Sequence, residues 1–234
     1  MSAAARDPRI VAGMRRQLEL RRARIAAGDA ALGWKLGFGT PAAMEGLGTD
    51  APLVGFLLRG AELELGAAVS IAGWTNPVVE PEVAVTMGRD LTATTDLQTV
   101  SDAIAAVGPA IELADLTFAP DDVEAILAAD VFQRHVLLGR QDRTRAGGLL
   151  DGLIGTVAND GAPLATVDDL EAAPGDLLDN VMHVANLLAA VGETLRAGEI
   201  IITGSIVPPI RADGPTRVRY ALDPLDTIEV ELVS

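Results

Sequence analysis

The chain has 234 residues, with 18 Lys+Arg against 33 Asp+Glu and a formal net charge of −15. A surface this acidic repels phosphate, which argues against nucleic acid and against anionic membrane as partners. Hydrophobic residues at 49% are enough for a core and exclude wholesale disorder, and the absence of cysteine removes disulfides, thiol nucleophiles and zinc-thiolate sites.

Two histidines, His135 and His183, are too few for a His-rich metal site, so any metal is expected on oxygen ligands. At this length one domain is expected over residues 1–234, with residues 1–30 as an N-terminal helical arm. No run of 18 apolar residues occurs and Met1–Arg9 lacks the apolar core of a signal peptide, so the chain is read as cytoplasmic.

Asp7–Ala27 spaces Ile10, Val11, Met14, Leu18 and Ile25 as a helix, and its arginines read as a solvated face or an inter-subunit pairing surface. A short strand around Trp34–Leu36 leads through Gly37, Gly39 and Pro41 to a helical stretch, Pro41–Gly48. Extended runs follow at Leu53–Leu58, Ala67–Ile71 and Val78–Met87. The spacing of Leu97, Val100, Ile104 and Val107 predicts a helix over Asp96–Val107, broken by Gly108-Pro109 before an apolar strand, Ala110–Ala114.

Pro120–Ala129 reads as a short helix and His135–Gly139 as a strand. Leu149–Val157, Asn159-Asp160-Gly161 and Ala162–Thr166 form a hairpin, and Pro174–Val191 reads as the longest helix. Ile200–Thr203, Arg217–Tyr220 and Thr227–Leu232 are strand-like. Strands predominate without βαβα alternation, so an α+β fold with a mostly β core is expected.

In Val79-Glu80-Pro81-Glu82-Val83-Ala84-Val85 the two carboxylates fall on one strand face, about 7 Å apart, with Val83 and Val85 on the opposite, apolar face. Glu112 recurs in the same setting at Ile111-Glu112-Leu113. If the two strands are neighbours, three carboxylates converge on a point suited to a hard divalent cation; otherwise each lies on a wet strand face. Lys35 is the single lysine beside 17 arginines, so at this position a primary amine is singled out.

Seven short elements occur in the order seen in 2-keto-4-pentenoate hydratases: Gly33-Trp34-Lys35-Leu36-Gly37, Gly46-Leu47-Gly48, Val79–Ala84, Gly88-Arg89-Asp90-Leu91, Ala110–Asp115, Asn186–Gly192 and Leu195–Ser205. From about residue 10 to the C-terminus the chain thus resembles these hydratases and the related 4-oxalocrotonate decarboxylases of the fumarylacetoacetate hydrolase superfamily. The resemblance implies a mixed β-roll or β-sandwich core with flanking helices, a homo-oligomer, and Mg²⁺ or Mn²⁺ held by Glu80, Glu82 and Glu112. It also implies Lys35 as the catalytic lysine, Leu47 as an apolar pocket residue and Gly204-Ser205 as a substrate-contacting turn.

Two departures stand out. Where hydratases carry P-D-Y-G with an active-site Asp, this chain reads Pro52-Leu53-Val54-Gly55, and Asp50 could substitute only if the loop were rearranged. Where the family has D-N-A-S-S-G, this chain has Asp130-Val131-Phe132-Gln133-Arg134-His135, a change in the shape and charge of the pocket wall. Arg134 either pairs with a substrate carboxylate or forms a salt bridge, while His135, His183 and Asp115 read mainly as structural.

The expected function is a divalent-metal-dependent hydratase or decarboxylase acting on a small 2-oxo acid or its dienol by metal-stabilised enolate chemistry. The alternatives are a C–C bond hydrolase of a diketo acid and a non-catalytic scaffold pairing with an active paralogue.

Overall fold

The computed structural model describes residues 6–234, so the first five residues of the predicted helical arm lie outside the described residues. Its first helix, α1 (Pro8–Ala26), starts at Asp7, whose carboxylate accepts the Arg9 N–H, and Pro8 occupies the first helical turn, where its missing N–H costs nothing. The arm lies against the body. Ile10, Met14 and Leu18 are buried, and Gln17 donates to the Val54 and Leu127 carbonyls, both at 3.0 Å. Its arginines lie mostly on the solvated face, with Arg15, Arg16, Arg22 and Arg24 exposed, whereas Arg21 stacks over Trp34 and pairs with Glu199.

One sheet contains, in order, β2 (Leu53–Leu58), β1 (Ala31–Gly37), β10 (Ile200–Ser205), β5 (Pro77–Met87), β6 (Ile104–Asp115), β7 (Gln133–Leu138) and β3 (Glu62–Leu63), with β11 (Ile210–Arg211) added beside β5. The other orders β4 (Ala68–Ser70), β13 (Asp226–Val233), β12 (Thr216–Asp223), β8 (Ile154–Asn159) and β9 (Ala162–Val167). The first sheet curls on itself. Leu57 of β2 and Val136 of β7, five strands apart in its order, share one small apolar cluster with Leu32, Ala84, Ala110, Ile200 and Ile202. Alternation along β5 sends Val79, Val83 and Val85 to the large core on the outer face and Ala84 to this inner cluster. The α+β expectation with a β-roll core holds.

The remaining helices are α2 (Pro41–Leu47), α3 (Leu97–Ala103), α4 (Val123–Ala128) and α5 (Leu177–Ala190). The helix predicted over Asp96–Val107 is a correction. Asp96 caps α3 by accepting the Gln98 and Thr99 N–H groups, but the helix ends at Ala103, and Ile104–Val107 open the long strand β6 instead. β-branched Ile104 and Val107 satisfy the strand period as well as the helical one, and pairing with β5 decides between them. Gly108-Pro109 does not break that strand. The backbone groups of Pro109 face the 139–142 segment, where its carbonyl accepts the Gly139 N–H and no ladder donor is required. The predicted hairpin is β8–β9, although its first strand begins at Ile154 and not at Leu149, and it is turned by Asp160 (φ 50°) and Gly161 (φ 78°), the two left-handed residues of a type I′ turn. No described helix is long and apolar enough to cross a membrane.

Candidate active site

The β5–β6 register sets Glu80 directly opposite Glu112, and Glu82 lies two residues along on the same face. One carboxylate oxygen from each of the three lies within 4.8 Å of the others. Glu82 and Glu112 are buried and Glu80 is partly so, on the inner face of the curled sheet beyond Ala84 and Ala110. Glu82 accepts the Gly204 N–H at 2.6 Å, which fixes it against the turn closing β10. Glu112 Oε2 is buried with no hydrogen-bond partner.

Lys35 reaches this cluster from β1. Its ammonium donates to Glu112 Oε1 and, at 3.0 Å, to the Val131 carbonyl, and at 2% exposure it could not remain charged without such partners. Space for the lysine stem comes from Gly55, where a Cβ would lie 2.8 Å from Lys35 Cγ and 3.2 Å from Asp130 Oδ1. Gly55→Ala is therefore expected to displace the ammonium, lowering both turnover and thermal stability, and a variant with unchanged kcat would contradict this packing.

The electrostatics follow from burial. Glu82 is pushed well above the ordinary carboxylate range by burial, then by Glu112 and Glu80, against the Gly204 N–H and Lys35. Burial also raises Glu112, which Glu80 pushes further and Lys35 draws back, to about 7. Glu80 is raised by burial against the pull of Lys35. For Lys35, burial alone would lower the pKa, but Glu112, Glu80 and Glu82 outweigh it and the net shift is upward.

Fully ionised, the three carboxylates and the lysine leave an excess of two negative charges, the complement of one divalent ion. All-carboxylate donors, close spacing and an orphaned buried oxygen on Glu112 fit a hard cation. A pH effect on stability follows. Without divalent ions the native state keeps the Glu112 proton up to about 7, whereas the unfolded chain releases it near the ordinary glutamate value of 4.5, so native protein binds more protons in that window and stability falls as pH rises. Adding Mg²⁺ is expected to raise Tm more at pH 8 than at pH 5, and an equal rise at both would contradict it.

A cavity of about 580 Å³ opens onto Lys35 and Glu80. Its walls are largely apolar, and Thr203, Gly204 and Ser205 line the side next to β10. The structure thus brings together Lys35, Glu80, Glu82, Glu112, Gly204 and Ser205. Leu47 and Arg134 do not line this cavity. Leu47 is buried at the end of α2, whereas Thr40, which caps the start of that helix, and Ala43 line the cavity instead. Arg134 is held elsewhere by Asp115 at 2.9 Å and by the Trp74 ring at 5.5 Å, since Asp115 ends β6 and anchors the Thr75 and Asn76 N–H groups beside it. His135 stacks on Trp74, and His183 bonds the Pro52 carbonyl.

Leu53 is buried in the core and Asp50 is exposed, so neither supplies the carboxylate expected near residue 53. Asp130, which the sequence reading treated only as part of an altered wall, approaches Lys35 across Gly55. It accepts the Phe56 N–H at 2.8 Å and is raised well above the ordinary range by burial, against Phe56 and Lys35. Asp130, Val131 and Phe132 all have left-handed φ of 55°, 50° and 63°, an unfavourable conformation for such side chains. That bend delivers the Val131 carbonyl to Lys35 and the Phe132 ring to the cavity wall. Of the replaced segment, Val131 and Phe132 shape the cavity, whereas Gln133 and Arg134 do not.

No protein-family model matches the chain. It is 28% identical to 2-hydroxyhexa-2,4-dienoate hydratase of Comamonas testosteroni over 92% of its length and 83% of the relative's. Identity to 2-keto-4-pentenoate hydratase of Burkholderia vietnamiensis (strain G4 / LMG 22486) is 27%, over 86% of this chain and 78% of the relative. The crystallised 4-oxalocrotonate decarboxylase from Pseudomonas putida G7, complexed with magnesium and adipate, superposes with a TM-score of 0.83 at 25% identity, covering 93% of this chain and 83% of that one. A fumarylacetoacetate hydrolase family protein from Yersinia pestis CO92 shares the fold at a TM-score of 0.63 and 16% identity, over 87% of this chain and 93% of that one. The chain is a homologue of the 2-keto-4-pentenoate hydratases, on the fumarylacetoacetate hydrolase fold. Relatives named as hydratases and a decarboxylase are lyases, which makes the chain an enzyme of that kind.

Proposed function

We propose that the chain is a divalent-metal-dependent lyase, a hydratase or decarboxylase, acting on a small 2-oxo acid or its dienol. The observation that carries this reading is the convergence of Glu80, Glu82 and Glu112 on one point with the only lysine of the chain bonded to one of them. Glu80, Glu82 and Glu112 would hold Mg²⁺ or Mn²⁺, as magnesium accompanies the decarboxylase of Pseudomonas putida G7. When bound, such an ion supplies positive charge for the negative charge that develops on the 2-oxo oxygen.

The protein's own residues do the rest. Lys35, carrying a proton and facing the cavity, orients the substrate carboxylate and transfers a proton at the substrate carbon next to the 2-oxo group. Glu112 and the Val131 carbonyl hold its ammonium in one place, which limits the reorganisation needed for that transfer. The Gly204-Ser205 turn lines the cavity at the substrate's head, and its backbone fixes Glu82. Phe38, Val131 and Phe132 build an apolar wall against which the substrate's carbon chain packs.

The test is turnover of 2-hydroxypenta-2,4-dienoate and of a 2-oxo-3-enedioate with and without EDTA. Loss with the chelator and recovery with Mg²⁺ or Mn²⁺ is expected, and full turnover in metal-free buffer would sink the reading. Two fragments from a 2,4-diketo acid would instead identify a C–C bond hydrolase.

A further inference from the structure

Besides Lys35, the cavity is lined by one other cationic side chain among the described residues, Arg211. It belongs to β11, whose register pairs Arg211 with Val78 and so puts it on the same face of the sheet as Val78 and Glu80. As a diagonal neighbour of Glu80 its Cα lies about 7–8 Å from that residue's, and its exposed side chain lines the cavity beside the carboxylate cluster. Arg211 makes no ion pair or side-chain hydrogen bond with a described residue, and its neighbour Asp213, beside it in a smaller adjoining cleft, leaves it unpaired. Arg134, by contrast, is engaged by Asp115 and Trp74. The rest of the lining is largely apolar, with Val78, Leu116 and Val207 among it.

A cavity with a metal-and-lysine head, largely apolar walls and an exposed, unpaired guanidinium on its lining matches a molecule with anionic groups at both ends. We propose that the substrates of this chain are 2-oxo acids carrying a second, distal carboxylate, and that Arg211 receives that carboxylate as the specificity-determining residue. A guanidinium is suited to this because its planar fork pairs with both carboxylate oxygens. The proposal rests on the reading that the 2-oxo acid head sits at Glu80, Glu82, Glu112 and Lys35.

The test is calorimetric binding of two unreactive probes of equal chain length, 2-oxoadipate and 2-oxohexanoate, to Mn²⁺-saturated protein, with oxalate as the head-group control. Wild type is expected to prefer 2-oxoadipate by about tenfold, the scale of a charged hydrogen bond moderated by solvent. Arg211→Ala is expected to bind the two probes alike, and Arg211→Lys to keep part of the preference. Equal binding of the probes by wild type, or a preference that survives in Arg211→Ala, would overturn the role of Arg211 while oxalate binding left the head-group reading standing. If oxalate and both probes fail to bind in the presence of Mn²⁺, the head-group reading falls and this proposal falls with it.

Discussion

Glu112→Gln is expected to abolish turnover to the same degree as EDTA, roughly a thousandfold or more, because a bound divalent ion contributes several kcal/mol of charge stabilisation and each 1.36 kcal/mol is tenfold in rate. The substitution keeps size and shape. It removes one of three carboxylates that crowd within 4.8 Å and leaves an amide oxygen to accept from Lys35. In EDTA the variant should unfold at the same temperature as wild type or above it, since a buried like-charge repulsion has been removed. The same pattern is expected of Glu82→Gln, whose amide can still accept the Gly204 N–H. A Glu112→Gln protein that turns over normally with Mg²⁺ would show that the cluster is not the reaction centre, and a lower Tm in EDTA would show that the carboxylate is structural.

Lys35→Arg, which preserves the charge, is expected to lose on the order of 100-fold in turnover, the range for removing a positioned acid/base group. The structure adds a cost that side-chain chemistry alone does not indicate. The lysine occupies a slot bounded by Gly55, Gly37 and Val131, and a guanidinium is too broad for it, so about 1–3 kcal/mol of overpacking accompanies the loss. Lys35→Met separates the two effects, since it fits the slot without charge: turnover should be lost with less loss of stability than in the arginine variant. Near-normal turnover in either variant would remove Lys35 from the chemistry.

What the residues disclose in advance is the part governed by local periodicity and composition. Alternation places Glu80 and Glu82 on one face and Val83 and Val85 on the other, and a lone lysine among arginines is conspicuous. That Glu112 joins them depends on β6 lying beside β5 in register, which spacing leaves open and the ladder provides. The helix predicted over Asp96–Val107 overran because Ile104 and Val107 satisfy both periods until a neighbouring strand is present. Asp130 escaped because its approach to Lys35 depends on three successive left-handed residues with Asp, Val and Phe side chains, which local preferences disfavour. Arg211 gave no signal at all, being positioned by a two-residue strand after Pro208-Pro209. Arg134 was credited with a substrate carboxylate that Asp115, at the end of β6, supplies from within the chain.

The most direct measurement is a crystal structure of the protein grown with Mn²⁺ and oxalate, recorded at a wavelength that reveals manganese. One anomalous peak bounded by Glu80, Glu82 and Glu112, with oxalate on its open side and the Lys35 ammonium within hydrogen-bond distance of an oxalate oxygen, is the predicted result. An empty carboxylate cluster at saturating Mn²⁺, or oxalate bound away from Lys35, would contradict it.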